Sequence, residues 1–187
     1  MMSSKKINKS SIKIIAGKYK GKISHMDILP NTRPTKSIVK ESLFDTLQDS
    51  IKDKVLVEVF AGYGSVGFEA FSRGAKKVIF IEKDSRSYSV LFHNINLFNS
   101  SHLIAYNEDS LIFLEQFCRD NEFDILYLDP PFCLDYNVIF ALLSKINLIN
   151  KIVVIEHISS FVMPQNLNNL SLYKSRKFGK TTLSYYF

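Results

Sequence analysis

Short apolar runs and amphipathic segments alternate along the chain from residue 54 onward. The apolar runs, such as KVLVEVF at 54–60 and FDILYLD at 123–129, have the continuous hydrophobic character of strands buried on both faces. The predicted strands cover residues 54–60, 76–82, 102–107, 123–129 and 151–157. The predicted helices cover residues 65–73, 84–98, 110–121 and 135–147. This alternation predicts a mostly parallel sheet with helices on both faces.

The two ends of the chain depart from this pattern. Residues 12–30 predict two short strands or a hairpin that turns at Gly17 and Gly21, and a helix capped by Thr35 or Ser37 follows. The C-terminal segment LSLYKSRKFGKTTLSYYF contains two strand-like runs around a basic turn at 174–180. We therefore expect the sheet to end in an antiparallel hairpin.

Composition excludes several classes of protein. With 46% hydrophobic and 22% charged residues the chain has an ordinary globular composition, and no apolar run reaches the roughly 18 residues of a membrane span. The basic N-terminus has no apolar core of a secretory signal. Cys118 and Cys133 are isolated and the four histidines are scattered, which argues against a zinc site. We expect a cytoplasmic protein without a metal.

Positive charge is concentrated near the N-terminus. Residues 1–40 contain ten lysine and arginine residues and one acid, although the net charge of the whole chain is only +6. A basic segment of this kind is typical of contact with a polyanion. We expect residues 1–10 to be a solvated tail, and residues 13–40 and the turn at 174–180 to bind nucleic-acid phosphates.

The segment VEVFAGYGSVGFEA leads from a strand into a glycine-rich loop. Gly62, Gly64 and Gly67 fit G-x-G-x-x-G, and Glu82 lies twenty residues past Gly62. Such glycines let a ligand approach the backbone, and the start of the next helix offers N–H groups to an anion. That anion can be the pyrophosphate of a dinucleotide or the carboxylate of an amino acid. The loop alone leaves both cofactor classes open.

Acidic residues near the strand ends narrow the choice between these two cofactor classes. Glu58 precedes the loop, where a buried carboxylate would repel a pyrophosphate and attract an ammonium. S-adenosylmethionine has a carboxylate and an ammonium but no phosphate, so Glu58 favours it; the alternative is an edge-strand acid facing solvent. Glu82 can accept both ribose hydroxyls. Asp109 either accepts from the adenine amino group or, like Ser110, caps the following helix.

LYLDPPF, at residues 126–132, predicts a rigid loop after a buried strand. Neither Pro130 nor Pro131 has an N–H, and both have a fixed φ, so the Pro130 carbonyl becomes a fixed acceptor beside the Asp129 carboxylate. Two convergent acceptors suit an exocyclic amino group, and Phe132 offers a face on which its base can stack. Holding both N–H groups aims the nitrogen lone pair at a methyl donor.

Four motifs in this order resemble those of the bacterial 16S ribosomal RNA guanine-N2 methyltransferases of the small single-domain type. They are IKIIAGKYKGKI, NTRPTKSIVKESLFDTL, FAGYGSVGFEAFSRGAKKVIFIEKD and FDILYLDPPF, and they extend over most of the chain. Two positions depart from the family pattern. Glu58 stands where an aspartate is usual, and Tyr63 replaces a small residue between two glycines, where it either crowds the pocket or lines it.

The resemblance implies an α/β, Rossmann-like class I methyltransferase fold. Its sheet is doubly wound, mostly parallel and seven-stranded, with a C-terminal antiparallel hairpin and a small N-terminal β/helix extension. It implies an extension at residues 1–50 that contacts RNA and a methyltransferase domain at residues 51–187. S-adenosylmethionine would donate a methyl group to the N2 amine of a guanine in 16S ribosomal RNA or in the small ribosomal subunit, and the enzyme would act as a monomer.

The residue-level reasoning and the resemblance together give three sets of site predictions. The predicted catalytic residues are Asp129, Pro130, Pro131 and Phe132. The predicted cofactor-binding residues are Glu58, Phe60, Ala61, Gly62, Gly64, Gly67, Glu82, Asp109 and Ser110. The predicted RNA-binding residues are Lys18, Lys20, Lys22, Arg33, Thr35 and Lys36.

Three alternative functions stay open at this level. A DNA adenine-N6 or cytosine-N4 amino-methyltransferase would share residues 129–132 but normally has a larger target-recognition region. A nicotinamide-dependent oxidoreductase explains the glycines and Glu82 but leaves Pro130 and Pro131 without a role. A non-catalytic RNA-binding module would bind RNA without turnover.

Overall fold

The computed structural model describes residues 9–27 and 37–187, in which a two-stranded hairpin precedes an eight-stranded sheet. The strands are β1 Lys9–Lys13, β2 Ile23–Asp27, β3 Val55–Val59, β4 Lys77–Ile81, β5 Leu103–Tyr106, β6 Ile125–Leu128, β7 Ile152–Ile158, β8 Asn166–Leu167, β9 Leu170–Phe178 and β10 Thr181–Tyr186. The helices are α1 Ser37–Leu47, α2 Ser65–Ser72, α3 Ser85–Asn96, α4 Ser110–Asp120 and α5 Tyr136–Leu143. None of these helices combines the length and apolar character of a membrane span.

The strand order of the large sheet is β5-β4-β3-β6-β7-β10-β9-β8. Strands β3 to β7 are parallel, whereas β10 pairs antiparallel with both β7 and β9. The predicted α/β fold, with a parallel centre and a C-terminal antiparallel hairpin, is therefore confirmed. Strands β3 to β7 all end at one side of the sheet, which we call the carboxyl edge; the opposite side is the amino edge.

The large sheet has one strand more than the seven that the resemblance implied. The additional strand is β8, which has two residues and pairs with the start of β9 at the outer edge. It adds a short edge pairing without changing the class of the fold.

The basic turn predicted at residues 174–180 is wrong in its extent. Strand β9 continues to Phe178, and the chain reverses at Gly179, with φ +64°, and Lys180. Thr181 pairs with Phe178 on one side and with Ile158 at the end of β7 on the other. The tip of the hairpin therefore lies at the carboxyl edge.

Alternate residues of the central strands face two separate cores. Leu56 and Tyr127 face a core that α1, α2 and α3 cover, whereas Val57 and Leu126 face a core that α4 and α5 cover. Burial on both faces explains why these strands are apolar throughout. Because α1 shares the first core with the sheet, part of residues 1–50 packs with the main domain, and the division at residue 50 stays a prediction.

Glu69 of α2 fastens the N-terminal segment to the sheet. Its carboxylate is fully buried and accepts hydrogen bonds from the backbone N–H groups of Ile15 at 2.8 Å and Ala16 at 3.0 Å. Lys40 of α1 is also buried, and its ammonium lies 3.8 Å from the same carboxylate. Lys40 is therefore a structural cation, which corrects its inclusion in the basic segment expected to bind phosphates.

Candidate active site

Carboxylates from four adjacent strand ends share one face of the sheet near the carboxyl edge. In strand order they are Glu82, Glu58, Asp129 and Glu156. Glu58 pairs with Tyr127, and Tyr127 pairs with Val154. Because side chains alternate between faces, Asp129 and Glu156 occupy the next positions on the face of Glu58. In doubly wound sheets ligands bind beyond this edge.

The loop at residues 60–64 turns sharply after β3. Phe60 has a φ of +60°, which is strained for a residue with a side chain, and Gly62 and Gly64 also have positive φ values. A Cβ atom added to Gly62 would meet no other atom within 4 Å. The buried Ala61 anchors the loop by donating its N–H to the Ile81 carbonyl at 3.0 Å. Gly62 therefore presents bare backbone to open space, as its predicted role requires.

The other two glycines of the motif have a packing function. A Cβ on Gly64 would lie 2.6 Å from the Leu91 side chain, and a Cβ on Gly67 would lie 2.3 Å from the Phe80 ring and 2.7 Å from the Glu58 carboxylate. These glycines let α2 approach the sheet closely. This corrects the expectation that all three glycines make room for a ligand.

We expect Gly67→Ala to destabilise the fold by about 1–2 kcal/mol, because overpacking against Phe80 outweighs the better helix propensity of alanine. Urea unfolding of the two proteins measures this difference. In a Phe80→Leu background the same substitution should cost less, because the ring that the methyl group meets is gone. An unchanged or higher unfolding midpoint for Gly67→Ala would contradict the packing role.

Glu58 is buried and faces the first turn of α2 instead of solvent. Its carboxylate accepts hydrogen bonds from the N–H groups of Val66 at 3.2 Å and Gly67 at 2.7 Å. Burial raises the pKa of Glu58 to about 8, and these two hydrogen bonds act in the opposite direction. Two of the helix N–H groups predicted to bind an anion, those of Val66 and Gly67, are thus taken by Glu58. A contact between Glu58 and a cofactor ammonium stays a prediction.

Glu82 connects the glycine loop to the start of α3. Its two oxygens accept from the N–H of Gly62 at 2.6 Å and the N–H of Asp84 at 2.7 Å. Burial raises the pKa of Glu82, while the N–H donors lower it. The carboxylate therefore lies directly beside the open space at Gly62, where its predicted contact with ribose hydroxyls is geometrically possible.

Asp109 caps α4, one of the two roles that the sequence left open. Its carboxylate accepts from the Leu111 N–H at 3.0 Å and from the Lys83 ammonium at 2.5 Å, and the hydrogen bond with Lys83 is the main cause of its lowered pKa. The next residue, Ser110, has a buried hydroxyl with no hydrogen-bond partner among the described residues. The adenine contact of Asp109 and the cofactor contact of Ser110 stay predictions.

Residues 129–132 form an irregular loop at the end of β6, as predicted. Asp129 is partly buried, and its pKa is raised well above the usual range by burial and by the nearby carboxylates of Glu156 and Glu58. Within the described residues the Pro130 carbonyl accepts no hydrogen bond, whereas the Pro131 carbonyl accepts one from Leu134. The role of the Pro130 carbonyl as an acceptor beside Asp129 stays a prediction, since Pro130 itself is buried.

Phe132 is 39% exposed although it is a large apolar side chain. It directly follows the two prolines, so its ring is accessible at the same end of the sheet as Asp129. This exposure fits a stacking surface for a planar base, which remains the role predicted for it.

Sequence reasoning missed Glu156, which is 6% exposed in β7. The hydroxyl of the buried Tyr127 donates to its carboxylate at 2.6 Å. The available signal was the acid within the apolar run KIVVIEH, which lies one position further along its run than Glu58 does in KVLVEVF. An acid in a strand buried on both faces is rare enough to mark a site.

Tyr63 is buried and packs against Ile12 of β1 and Val90 of α3. The side chain therefore joins the N-terminal hairpin to the glycine loop. Of the two interpretations given above, this packing favours the one in which Tyr63 lines the pocket and does not crowd it.

The structure separates the predicted RNA-binding lysines from the 129–132 loop. The backbone N–H of Lys18 donates to the Ser72 carbonyl at the end of α2, and the ammonium of Lys22 donates to the Leu97 carbonyl just past α3. Both helices run from the carboxyl edge to the amino edge, and the eight residues of α2 span about 12 Å. Lys18, the exposed Lys20 and Lys22 therefore lie at the amino edge.

Arg33, Thr35 and Lys36 lie outside the described residues. Within residues 9–27 and 37–187, no three histidine, cysteine, aspartate or glutamate side chains are grouped so that they could hold a metal ion.

Comparison with protein families gives one match that extends over nearly the whole chain. The family is described as conserved hypothetical protein 95, and its model matches residues 12–187.

Among curated relatives, ribosomal RNA small subunit methyltransferase D of Haemophilus influenzae is 40% identical over 126 residues, which is 66% of this chain and 65% of that protein. The matched region is thus slightly less than two thirds of that relative's length. The protein of the same name from Buchnera aphidicola subsp. Baizongia pistaciae is 30% identical over 189 residues, with 97% of this chain and 94% of that protein covered.

A solved structure from Escherichia coli, described as that of a candidate methyltransferase, yhhF, has the same fold. It superimposes with a TM-score of 0.80 at 27% identity and covers 95% of this chain and 97% of its own. The similarity includes both the parallel centre of the sheet and its antiparallel end.

Proposed function

The chain belongs to the family described as conserved hypothetical protein 95, with relatives named ribosomal RNA small subunit methyltransferase D, and on that premise we propose that it methylates the N2 amine of a guanine in 16S ribosomal RNA. The family resemblance predicted from four sequence motifs is confirmed. The methyl donor in this proposal is S-adenosylmethionine, whose sulfonium supplies an electrophilic methyl group when it is bound.

One arrangement carries the proposal. The acceptors of the 129–132 loop and the open space at Gly62 are at the same edge of the sheet, on neighbouring strands β6 and β3. A donor bound over the glycine loop and a base held by Asp129 would therefore meet across one strand spacing, about 5 Å. Reactions between two bound molecules depend on such proximity.

The residues around Gly62 fit the donor. Gly62 leaves space at the backbone, and Glu82 has acceptor oxygens for ribose hydroxyls. Glu58, whose pKa of about 8 makes its charge sensitive to a nearby cation, lies below the loop and would respond to an ammonium group. No pyrophosphate is needed to explain any of these groups.

The chain's own residues would orient the base and receive its proton. Asp129 and the Pro130 carbonyl each accept one N–H of the guanine amine, and Phe132 stacks on the ring. This leaves the nitrogen lone pair directed away from the acceptors. Bound S-adenosylmethionine would supply the methyl group and keep the electrons of the broken S–C bond on its sulfur, and the methylated amine would pass one proton to Asp129.

The test is a methyl-transfer assay with radiolabelled S-adenosylmethionine and three acceptors from a strain that lacks the gene: naked 16S ribosomal RNA, small ribosomal subunits, and DNA. Mass mapping of the labelled nucleotide should identify N2-methylguanine in one ribosomal acceptor. Label on DNA adenine or cytosine would favour the amino-methyltransferase of DNA instead. RNA binding without turnover at saturating donor would indicate a non-catalytic module.

We further propose that the protein is a monomer and that it acts in the cytoplasm.

Basic side chains at the tip of the β9–β10 hairpin support binding of a polyanion near the site. The Ser159 N–H donates to the Lys180 carbonyl at 2.9 Å, which fixes the tip at the carboxyl edge. Arg176, Lys177 and Lys180 are exposed there. They lie two to three strands from β6, or about 10–14 Å across the sheet.

We expect Lys177→Gln/Lys180→Gln to weaken RNA binding and to lower the slope of log affinity against log salt by about 1–2, since each lost phosphate contact removes roughly 0.7–0.9. Filter binding from about 50 to 300 mM salt measures the slope. Lys52→Gln/Lys76→Gln is the matched control, because both lysines are exposed at the amino edge. Equal salt slopes for the two double variants would show that the hairpin tip is not part of the RNA-binding surface.

A further inference from the structure

Two exposed aromatic side chains stack on each other at the C-terminal end of the sheet. Tyr173 of β9 is 64% exposed and Phe187, which follows β10, is 44% exposed. Their ring centroids are 4.9 Å apart and their planes are 15° from parallel. We propose that this aromatic pair and the basic side chains of β9 form a track that binds an unpaired strand of the RNA substrate. The inference rests on the proposed function, because it assigns the surface that holds the RNA beyond its target guanine.

The strand register places the aromatic pair at the amino edge. Strand β10 is antiparallel to β7, and its last residue, Tyr186, lies opposite Val153 near the start of β7. Ser171 and Phe187 exchange two backbone hydrogen bonds, at 3.0 and 3.2 Å, so the backbone beneath the rings is fixed. From Tyr173, β9 continues for about 17 Å to the hairpin tip at the carboxyl edge.

Positive charge follows the same strand. Residues 157–187 contain four lysine and arginine residues and no aspartate or glutamate. All four are on β9 or in the turn after it, and they are Lys174, Arg176, Lys177 and Lys180. Helix α1 contributes an acid, Asp45, which like Arg176 lies within electrostatic range of Tyr185. The positive charges of β9 outnumber this acid, so the strand favours a polyanion.

Two of these cations share a face of the sheet with the aromatic pair. Leu183 and Tyr185 of β10 point into the core that α1, α2 and α3 cover. Their partners on β9, Arg176 and Lys174, therefore point to that face as well. Phe187 is two residues beyond Tyr185 and lies on the same face by alternation. Rings and cations thus line one continuous path along β9.

The outer side of β9 leaves this path open. Strand β8 pairs only with Leu170 and Ser171, and the Leu172 N–H donates to the Gln165 carbonyl. Within residues 9–27 and 37–187, no strand covers β9 beyond that point. Lysines also protect an exposed edge from pairing with other chains, so the charges by themselves identify no partner. The exposed aromatic pair is the independent observation that does.

Exposed rings beside cations fit unpaired nucleotides. Aromatic side chains offer faces on which bases stack, while lysine and arginine neutralise the phosphates. Bases within a duplex are already stacked on their neighbours, so an unpaired strand gains more from the rings. The track leads to the hairpin tip, and the aromatic pair lies about 20 Å from the 129–132 loop, three strands across and half a strand along the sheet.

The test measures the affinity of the full chain for fluorescein-labelled oligouridylate, alone and annealed to oligoadenylate, by fluorescence anisotropy at constant salt. Tyr173→Leu should weaken binding of the single strand by about tenfold or more, because stacking on an aromatic ring is lost. Binding of the duplex should change little, since its bases are not free to stack. Tyr173→Phe keeps the ring and should bind both probes as the wild type does.

A matched control removes an exposed ring from another part of the molecule. Phe92 of α3 is also exposed and stacks on Tyr88, with ring centroids 6.1 Å apart. Phe92→Leu should leave both affinities unchanged. Thermal unfolding establishes that each variant is folded. If Tyr173→Leu does not fold, Phe187→Leu tests the same stack from its other ring.

The salt dependence separates stacking from charge. Tyr173→Leu should leave the slope of log affinity against log salt unchanged, because no phosphate contact is lost. Lys174→Gln/Arg176→Gln should lower the slope by about 1–1.5, since each phosphate contact on a single strand contributes roughly 0.7.

Equal single-strand affinities for the wild type, Tyr173→Leu and Phe187→Leu would overturn the inference and leave the open edge of β9 to a peptide strand. An equally large loss on the duplex would also overturn it, because the rings would then not stack on free bases. A loss confined to the single strand, in a protein that methylates no acceptor, would uphold the track and overturn the proposed function. Unchanged affinities in a protein that methylates ribosomal RNA would do the reverse.

Discussion

Asp129→Ala should reduce the rate of methyl transfer by about 10²–10³-fold while donor affinity stays nearly unchanged. In the proposed mechanism the substitution removes one of the two acceptors that orient the amine and also the group that takes its proton. In the proposed site the donor is bound by the glycine loop and Glu82, which follow β3 and β4 and do not involve the Asp129 side chain. Single-turnover methyl transfer and calorimetric titration with S-adenosylhomocysteine measure the two quantities separately.

Two controls define what the loss means. Asp129→Asn keeps one acceptor oxygen and should retain more activity than alanine, but it cannot take the proton. Asp135→Asn changes an exposed acid in the same loop, and asparagine can still cap α5 as Asp135 does by accepting from Asn137 at 2.9 Å. It should behave as wild type. Equal losses of donor affinity and rate in Asp129→Ala would mean that the residue is structural.

Glu82→Ala should have the opposite effect to Asp129→Ala: it should weaken donor binding and leave the rate of methyl transfer nearly unchanged. We expect donor affinity to fall by about 2–3 kcal/mol, or roughly a hundredfold, since hydrogen bonds to a charged group are lost. At saturating donor the rate should remain within a few-fold of wild type, because the 129–132 loop is intact. Calorimetry with S-adenosylhomocysteine gives the affinity.

The control for Glu82→Ala is Glu108→Ala, an exposed acid that follows β5 at the same edge. It should leave donor affinity unchanged. Glu82 also holds the Gly62 N–H, so thermal unfolding of each variant must accompany the titration. An unchanged affinity in a folded Glu82→Ala protein would remove Glu82 from the donor site.

Much of this architecture could be predicted because its strands are buried on both faces. A continuously apolar strand such as ILYL can only lie in the middle of a covered sheet, so the order of elements and the edge of the candidate site followed from the pattern. Asp129 and the two prolines were identifiable because a strand cannot continue through them. The boundaries of β9 could not be predicted, because a strand near the edge of a sheet tolerates the same basic residues that a turn does.

The contacts of individual residues in the candidate site could be assigned only from the tertiary structure. Glu58 was expected to contact a ligand, and only the structure shows that its carboxylate also accepts hydrogen bonds from the N-terminus of α2. Gly67 was expected to make room for a ligand and instead makes room for Phe80. Both outcomes depend on how closely α2 packs on β3 and β4, which no spacing in the sequence records.

By itself the sequence determined that a parallel sheet would bring the glycine loop, Glu82 and the 129–132 loop to one edge, because strand polarity alone dictates where those segments emerge. Folding decided which groups are neighbours across strands. The pairing of β6 with β7 sets Glu156 beside Asp129, residues 27 positions apart, and the insertion of β10 between β7 and β9 carries a basic tip to that edge. Such proximity arises from register between distant segments, and no local pattern encodes it.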